Sequence, residues 1–165
     1  MGAFQQQIDG KNEAQSLKVY IFGSIKHLCG YMRVAINAAI IQDSRLLLVR
    51  KVESWILPGG KPKEGEEDLV CLRREVREEL SGTELNNFRF CGDFEGITPH
   101  KGDKLRARVY FADIDGQLGQ PSAEIAEYAW IGKDTSSFRL SDITRKIIES
   151  LKLREDEGSR PKKRA

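Results

Sequence analysis

The stretch Pro58–Gly65, PGGKPKEG, constrains this chain more than any other, because its two prolines and three glycines exclude both a helix and an interior strand. Regular structure must stop before it and begin again after it. Ahead of it lie the apolar runs RVAINAAII (33–41) and LLLVR (46–50), separated by QDSR, and then WIL (55–57). This pattern reads as a hairpin whose strands are buried on both faces, followed by a short strand that enters the loop. Behind the loop, Glu66 to Leu80 contains neither Gly nor Pro and sets Leu69, Leu72, Val76 and Leu80 three or four residues apart. That spacing predicts a helix with one apolar stripe.

Further strands are predicted at KVYIF (18–22), FRFCGDFEGI (88–97), LRARVYFADI (105–114) and EYAWI (127–131). In the third of these, Leu105, Ala107, Val109 and Phe111 alternate with Arg106, Arg108 and Tyr110, which puts both arginines on one face. Ser141 opens a last helix with Ile143, Ile147, Ile148 and Leu151 on its apolar side. The class expected is α+β: a mixed β-sheet with helices on opposite faces, an α/β/α sandwich. Residues 1–16 are polar and read as a flexible segment, 17–153 as the folded domain, and 154–165 as a charged, disordered tail.

A chain of 165 residues with 39% hydrophobic residues holds one core. Its 27 basic and 25 acidic residues leave a net charge of +2, which argues against a protein built to coat nucleic acid or acidic membranes. No apolar run approaches the ~20 residues a bilayer requires, and the N-terminus lacks the basic-then-apolar layout of a secretory signal. A cytoplasmic location is expected. Cys29, Cys71 and Cys91 form no CxxC pair and read as reduced thiols, and His27 and His100 are assigned no role.

On a helix, Glu75, Glu78 and Glu79 fall within an arc of about 100°, so their oxygens are expected to converge. Like charges one turn apart cost about 0.2–0.5 kcal/mol per pair, which favours a cation beside them. Hard oxygen ligands suit Mg²⁺ or Mn²⁺. Arg73, Arg74 and Arg77 are interleaved with the acids, and RREVREE taken alone reads as a solvated ionic face. The loop in front changes that reading, since Gly59 and Gly60 allow the backbone to approach a ligand. Arg50, Lys51, Lys61, Arg106 and Arg108 are candidates for phosphate contacts, and Trp55 and Trp130 for either base stacking or core.

Together these residues resemble the signature of the Nudix hydrolase family, G-x5-E-x7-R-E-U-x-E-E-x-G-U with U apolar, at Gly60, Glu66, Arg74, Glu75, Val76, Glu78 and Glu79. The glycine is displaced by one residue: Ser81 stands at the signature's glycine and Gly82 at its apolar position. The resemblance implies a mixed sheet between helices and metal-dependent hydrolysis of a diphosphate bond in a nucleoside diphosphate linked to another group. By position it makes Glu78 and Glu79 ligands of Mg²⁺ or Mn²⁺, with the carbonyl of Gly59 as a further ligand and Glu75 as ligand or base. Arg74 would orient the carboxylates. Glu124, in SAEIAEYAW, stands where many relatives carry a further acid, and Glu75, Glu79, Glu124 and Glu127 are all candidates for the base. Cys71, where relatives have a small residue, reads as a size requirement. The substrate expected is a small nucleotide: a (d)NTP, oxidised or not, or ADP-ribose or a nucleotide sugar, with Pro99 close to where a proline accompanies ADP-ribose hydrolysis. Two other readings stand beside this one: a nucleotide-binding sensor without turnover, and an RNA 5'-end pyrophosphohydrolase suggested by the basic RPKKRA tail. A homodimer with shared half-sites stays open.

Overall fold

The structure, a computed structural model, describes residues 32–98, 102–122 and 124–158. KVYIF, His27, Cys29, Pro99, His100 and the end of the basic tail lie outside the described residues. Strand β1 (Arg33–Ala39) is followed by β2 (Ile41–Gln42), β3 (Arg45–Lys51), β4 (Ser54–Ile56) and β5 (Gly59–Gly60). Then come helix α1 (Asp68–Glu79), strands β6 (Glu84–Ile97), β7 (Lys104–Asp115) and β8 (Glu127–Ile131), and helix α2 (Asp142–Gly158). α2 runs past Leu153, into the stretch that the sequence reads as a tail.

One four-stranded sheet has the order β5-β1-β7-β6, with β1 and β7 parallel and the other pairs antiparallel. In the second, β2 and β4 share one edge of β3 while β8 pairs along β3 as well. The apolar runs are strands buried on both faces, as their composition implies. Ile36, Ala38 and Ile40 of the first run, with Leu47 and Val49 of β3, pack toward Leu72, Val76 and Leu80 of the α1 segment. Ala39, Leu46 and Leu48 pack toward Ile143, Ile147 and Ile148 of α2. Each leucine, isoleucine and valine among them, fully buried, contributes roughly 1.5–3 kcal/mol.

The expected hairpin of the two runs forms only at the end of the first run, and its extent is corrected. β1 pairs with β5 and β7, and β3 pairs with β2 instead. Ile40 carries the chain from one sheet to the other, its carbonyl accepting from the Leu47 N–H at 2.9 Å. The hairpin proper is β2–β3, turned through Asp43 and Ser44 at φ 49° and 57°. Positive φ at both central positions is the type I′ signature that matches strand twist.

α2 begins where the sequence places it. The Ser141 hydroxyl accepts from the Thr144 N–H at 3.2 Å, a cap of the ordinary kind. Its entry is fixed by β4, since the Trp55 N–H donates to the Arg139 carbonyl at 2.9 Å and the Ser141 N–H to the Trp55 carbonyl at 3.2 Å. Trp55 packs edge-on to Phe138, centroids 5.1 Å apart, and Trp130 packs into the core beneath α1. Both tryptophans are half-buried and pack against the core.

Candidate active site

The stretch expected to carry no regular structure is corrected at Gly59–Gly60, which form the short edge strand β5 against β1, and this glycine loop lies between β1 and α1 at distances only glycine permits. Gly59 has φ +133°, and a Cβ there would stand 2.2 Å from the Ile36 carbonyl oxygen. A Cβ on Gly60 would stand 2.2 Å from Oε2 of Glu75. The loop is tied to the helix through Arg74. Its Nε and Nη2 donate to the two oxygens of Glu66 at 2.7 Å each, and Nη1 donates to Glu75 at 2.8 Å. Glu66 also accepts from the Lys63 N–H at 2.8 Å. The hydrogen bonds from Arg74, with that from Lys63, hold the Glu66 carboxyl down at about 2, and Glu66 in turn pushes Arg74 up. The displaced signature glycine finds its place as well: Gly82 has φ +82° and its N–H donates to the Arg77 carbonyl at 3.0 Å, closing the helix end one residue later than the signature does.

Glu79 is buried. One of its oxygens accepts from the Gly59 N–H at 2.9 Å, and the other, Oε1, is buried without a hydrogen-bond partner. Burial pushes this carboxyl up to about 7, against the Gly59 hydrogen bond and the nearby Lys51. The convergence expected of the three acids is corrected. Glu75 turns to Arg74, Glu78 is 60% exposed with only a 3.5 Å contact to Arg74, and Glu79 turns to Gly59. Among the described residues, no three His, Cys, Asp or Glu side chains close on a common point. Each repelling acid takes the nearest donor, but all three line one cavity.

That cavity, about 750 Å³, runs from Glu75, Glu78 and Glu79 along Asn37 and Ala35 to Ile143 and Ile147 of α2. It is within the range of small-ligand sites. Glu124 lines it, on a loop strapped to the end of α1: the Ser122 N–H donates to the Glu79 carbonyl at 3.0 Å, and the Ser122 hydroxyl donates to that of Glu78. Lys51 and Lys61 line it too, and Lys51 forms an ion pair with Glu124. Desolvation lowers the Lys51 pKa, but Glu124 and Glu79 outweigh it and the net shift is upward.

Other candidates are not brought there. Arg50 pairs with Glu127 at 2.6 Å, and neither residue is among those that line the cavity. Arg106 pairs with Glu95 at 2.8 Å, and Arg108 with Asp68 at 2.8 Å. Strand parity is the reason: Leu105 and Ala107 line the cavity, so Arg106 and Arg108 share a face, as predicted, but the opposite one. Cys71 is buried, and burial pushes its thiol up to about 12, which suits a space-filling residue and not a nucleophile. Sequence reasoning missed the anchoring of Asp68 and the strap at Ser122, since both join residues far apart in the chain.

The NUDIX domain family matches residues 32–151. Among curated proteins, nucleoside triphosphatase NudI of Escherichia coli O17:K52:H18 (strain UMN026 / ExPEC) is 31% identical over 103 residues, covering 57% of this chain and 73% of that protein. Among solved structures, the MutT NUDIX hydrolase from Burkholderia pseudomallei superposes with a TM-score of 0.64 at 28% identity, over 72% of this chain and 97% of its own. The NUDIX domain of Shewanella oneidensis NrtR, solved with ADP ribose, gives a TM-score of 0.63 at 16% identity over 84% and 97%, a likeness of fold alone. The family match spans both sheets and the acidic helix between them, and with it the signature is answered by structure: this chain belongs to the Nudix hydrolase family and is a pyrophosphohydrolase.

Proposed function

We propose that this protein hydrolyses a diphosphate bond in a small soluble nucleotide, with Mg²⁺ or Mn²⁺ held at α1. The observation that carries the reading is Oε1 of Glu79, buried at the cavity wall without a hydrogen-bond partner. An unpaired buried carboxylate oxygen is costly, and a hard divalent cation is the partner its chemistry suits. Glu78, Glu75 and the carbonyl of Gly59 complete the donor set, all on residues that line the same cavity. When bound, the cation neutralises phosphate oxygens and lowers the pKa of a bound water.

The chain's own groups do the rest. Glu124 takes the proton of the attacking water, with Glu75 as the alternative base. Lys61 balances the phosphate charge from the cavity wall. Arg74 holds Glu75 and the loop residue Glu66 in one frame. A nucleoside triphosphate is the first substrate to test, since the curated relatives are nucleoside triphosphatases, and ADP-ribose and nucleotide sugars follow. The reaction is placed in the cytoplasm, without a membrane or nucleic-acid partner.

The test is chromatographic product analysis of wild type and Glu79→Gln with Mg²⁺ and a panel of dNTPs, oxidised dGTP, ADP-ribose, nucleotide sugars and dinucleoside polyphosphates. Cleavage of one substrate at a diphosphate bond, lost by at least roughly a hundredfold in the variant, is expected. Tight nucleotide binding without turnover overturns the reading in favour of a sensor.

A further inference from the structure

We infer that Lys51 is a positioning residue of this site, holding the Glu124 carboxylate over the cavity and so fixing where the proton of the attacking water is received. The inference rests on the assignment of Glu124 as the base.

Four observations lead to it. First, Nζ of Lys51 pairs with Oε2 of Glu124 beside the acid cluster, and both residues line the cavity. Second, the side chains are 37% and 70% exposed, and so open a pair contributes little to stability. The fold has small reason to keep it on that account. Third, Lys51 ends β3 at the two-residue turn Val52–Glu53, where Val52 sits at φ 57° with 63% of its surface exposed. A β-branched residue in the left-handed region is strained, and an exposed valine buries almost nothing in return. A positive φ at the first position is what a two-residue hairpin turn requires, so β3 must end at Lys51, which places this residue at the cavity wall. Fourth, the Glu124 loop is anchored on both sides, by Ser122 to the end of α1 and by the Ala126 N–H to the Arg50 carbonyl at 2.9 Å. What the anchors leave free is the Glu124 side chain itself, and Lys51 is its partner.

The arrangement gives each acid its own orienting donor: Arg74 for Glu75, the Gly59 N–H for Glu79 and Lys51 for Glu124. A general base must be aimed before it can act, so removal of the donor lowers the rate of the chemical step more than it weakens substrate binding.

The experiment compares steady-state kinetics of Lys51→Met, Lys51→Arg, Glu124→Gln and the Lys51→Met/Glu124→Gln double variant on the substrate found for wild type. Lys51→Met is expected to lower kcat roughly tenfold with KM within about twofold, Lys51→Arg to recover most of the loss, and the double variant to be no slower than Glu124→Gln. A second readout needs neither metal nor substrate. After reductive ¹³C-methylation, the Lys51 resonance, identified by its absence in Lys51→Arg, is expected to shift in Glu124→Gln. Additive losses, a change confined to KM, or an unmoved resonance overturns the inference. Full kcat in Glu124→Gln alongside an inactive Glu79→Gln overturns it while leaving the metal reading intact, and a wild type that turns over nothing removes both.

Discussion

α1 and α2 cover opposite faces of the sheets, yet they are held there in different ways. α2 closes its own N-terminus with the Ser141 hydroxyl and is seated by Ile143, Ile147 and Ile148. α1 begins at Glu67, whose side chain makes no capping hydrogen bond. Its first turn is held from β7, with Asp68 accepting from Arg108 at 2.8 Å and from Tyr110 at 2.7 Å. Its middle is held by Arg74 and Glu66, and its end by Ser122. α2 carries its own cap, although its entry is also tied to β4 and it lends Ile143 and Ile147 to the cavity. The helix that carries the acids is specified by groups distant in sequence, and its register against the glycine loop depends on them.

Four substitutions press on that contrast, in decreasing order of effect. Gly60→Ala places a methyl group against the Glu75 carboxylate, the end of a flexible side chain. Activity is expected to fall about a hundredfold with little change in melting temperature, because the acid moves while the fold does not. Arg74→Ala leaves Glu66 and Glu75 without their common partner and should lower stability in denaturant unfolding by more than either substitution that follows. On the α2 side, Ser141→Ala removes a local cap and should cost about 1 kcal/mol in the same assay. Asp68→Asn should cost about 0.5–1 kcal/mol at neutral pH.

The last effect carries a pH signature. Burial pushes the Asp68 carboxyl up, but the hydrogen bonds from Arg108 and Tyr110 outweigh it, and the group is held below its ordinary 3.8. A carboxyl with a depressed folded pKa contributes stability that is present above the unfolded value and lost as pH falls through the folded one. The difference between wild type and Asp68→Asn should therefore be constant above pH 3.8 and shrink below it, as followed by urea titration. A difference that grows on acidification would mean that Asp68 is not tied to β7 as described.

What was legible in the sequence follows the same division. Ser141 and the isoleucines of α2 are local signals and were read correctly. So was the acidic helix, because loop, stripe and acids lie within one short stretch. The direction of each acid was not legible, since it depends on which donor each one meets: Arg74 beside Glu75 on α1 itself, the Gly59 N–H of β5 for Glu79 and Lys51 of β3 for Glu124. Arg106 and Arg108 were correctly placed on one face of β7, but alternation alone does not say which face meets the cavity. The first two apolar runs were read as partners in one hairpin because they are neighbours in sequence and alike in composition. The exchange of sheets at Ile40 leaves no mark on either property.

That exchange bears on how the chain tolerates changes in its length. Asp43 and Ser44 are exposed at the tip of the β2–β3 hairpin, and residues added there extend a turn without altering what lies behind it. Ile40 is fully buried between the sheets. A single residue gained or lost at that point would turn β1 over relative to β3, presenting Ala35 and Asn37 where Ile36 and Ala38 belong. Variation in this stretch should accordingly accumulate at the hairpin tip, while the spacing from β1 to Ile40 stays fixed.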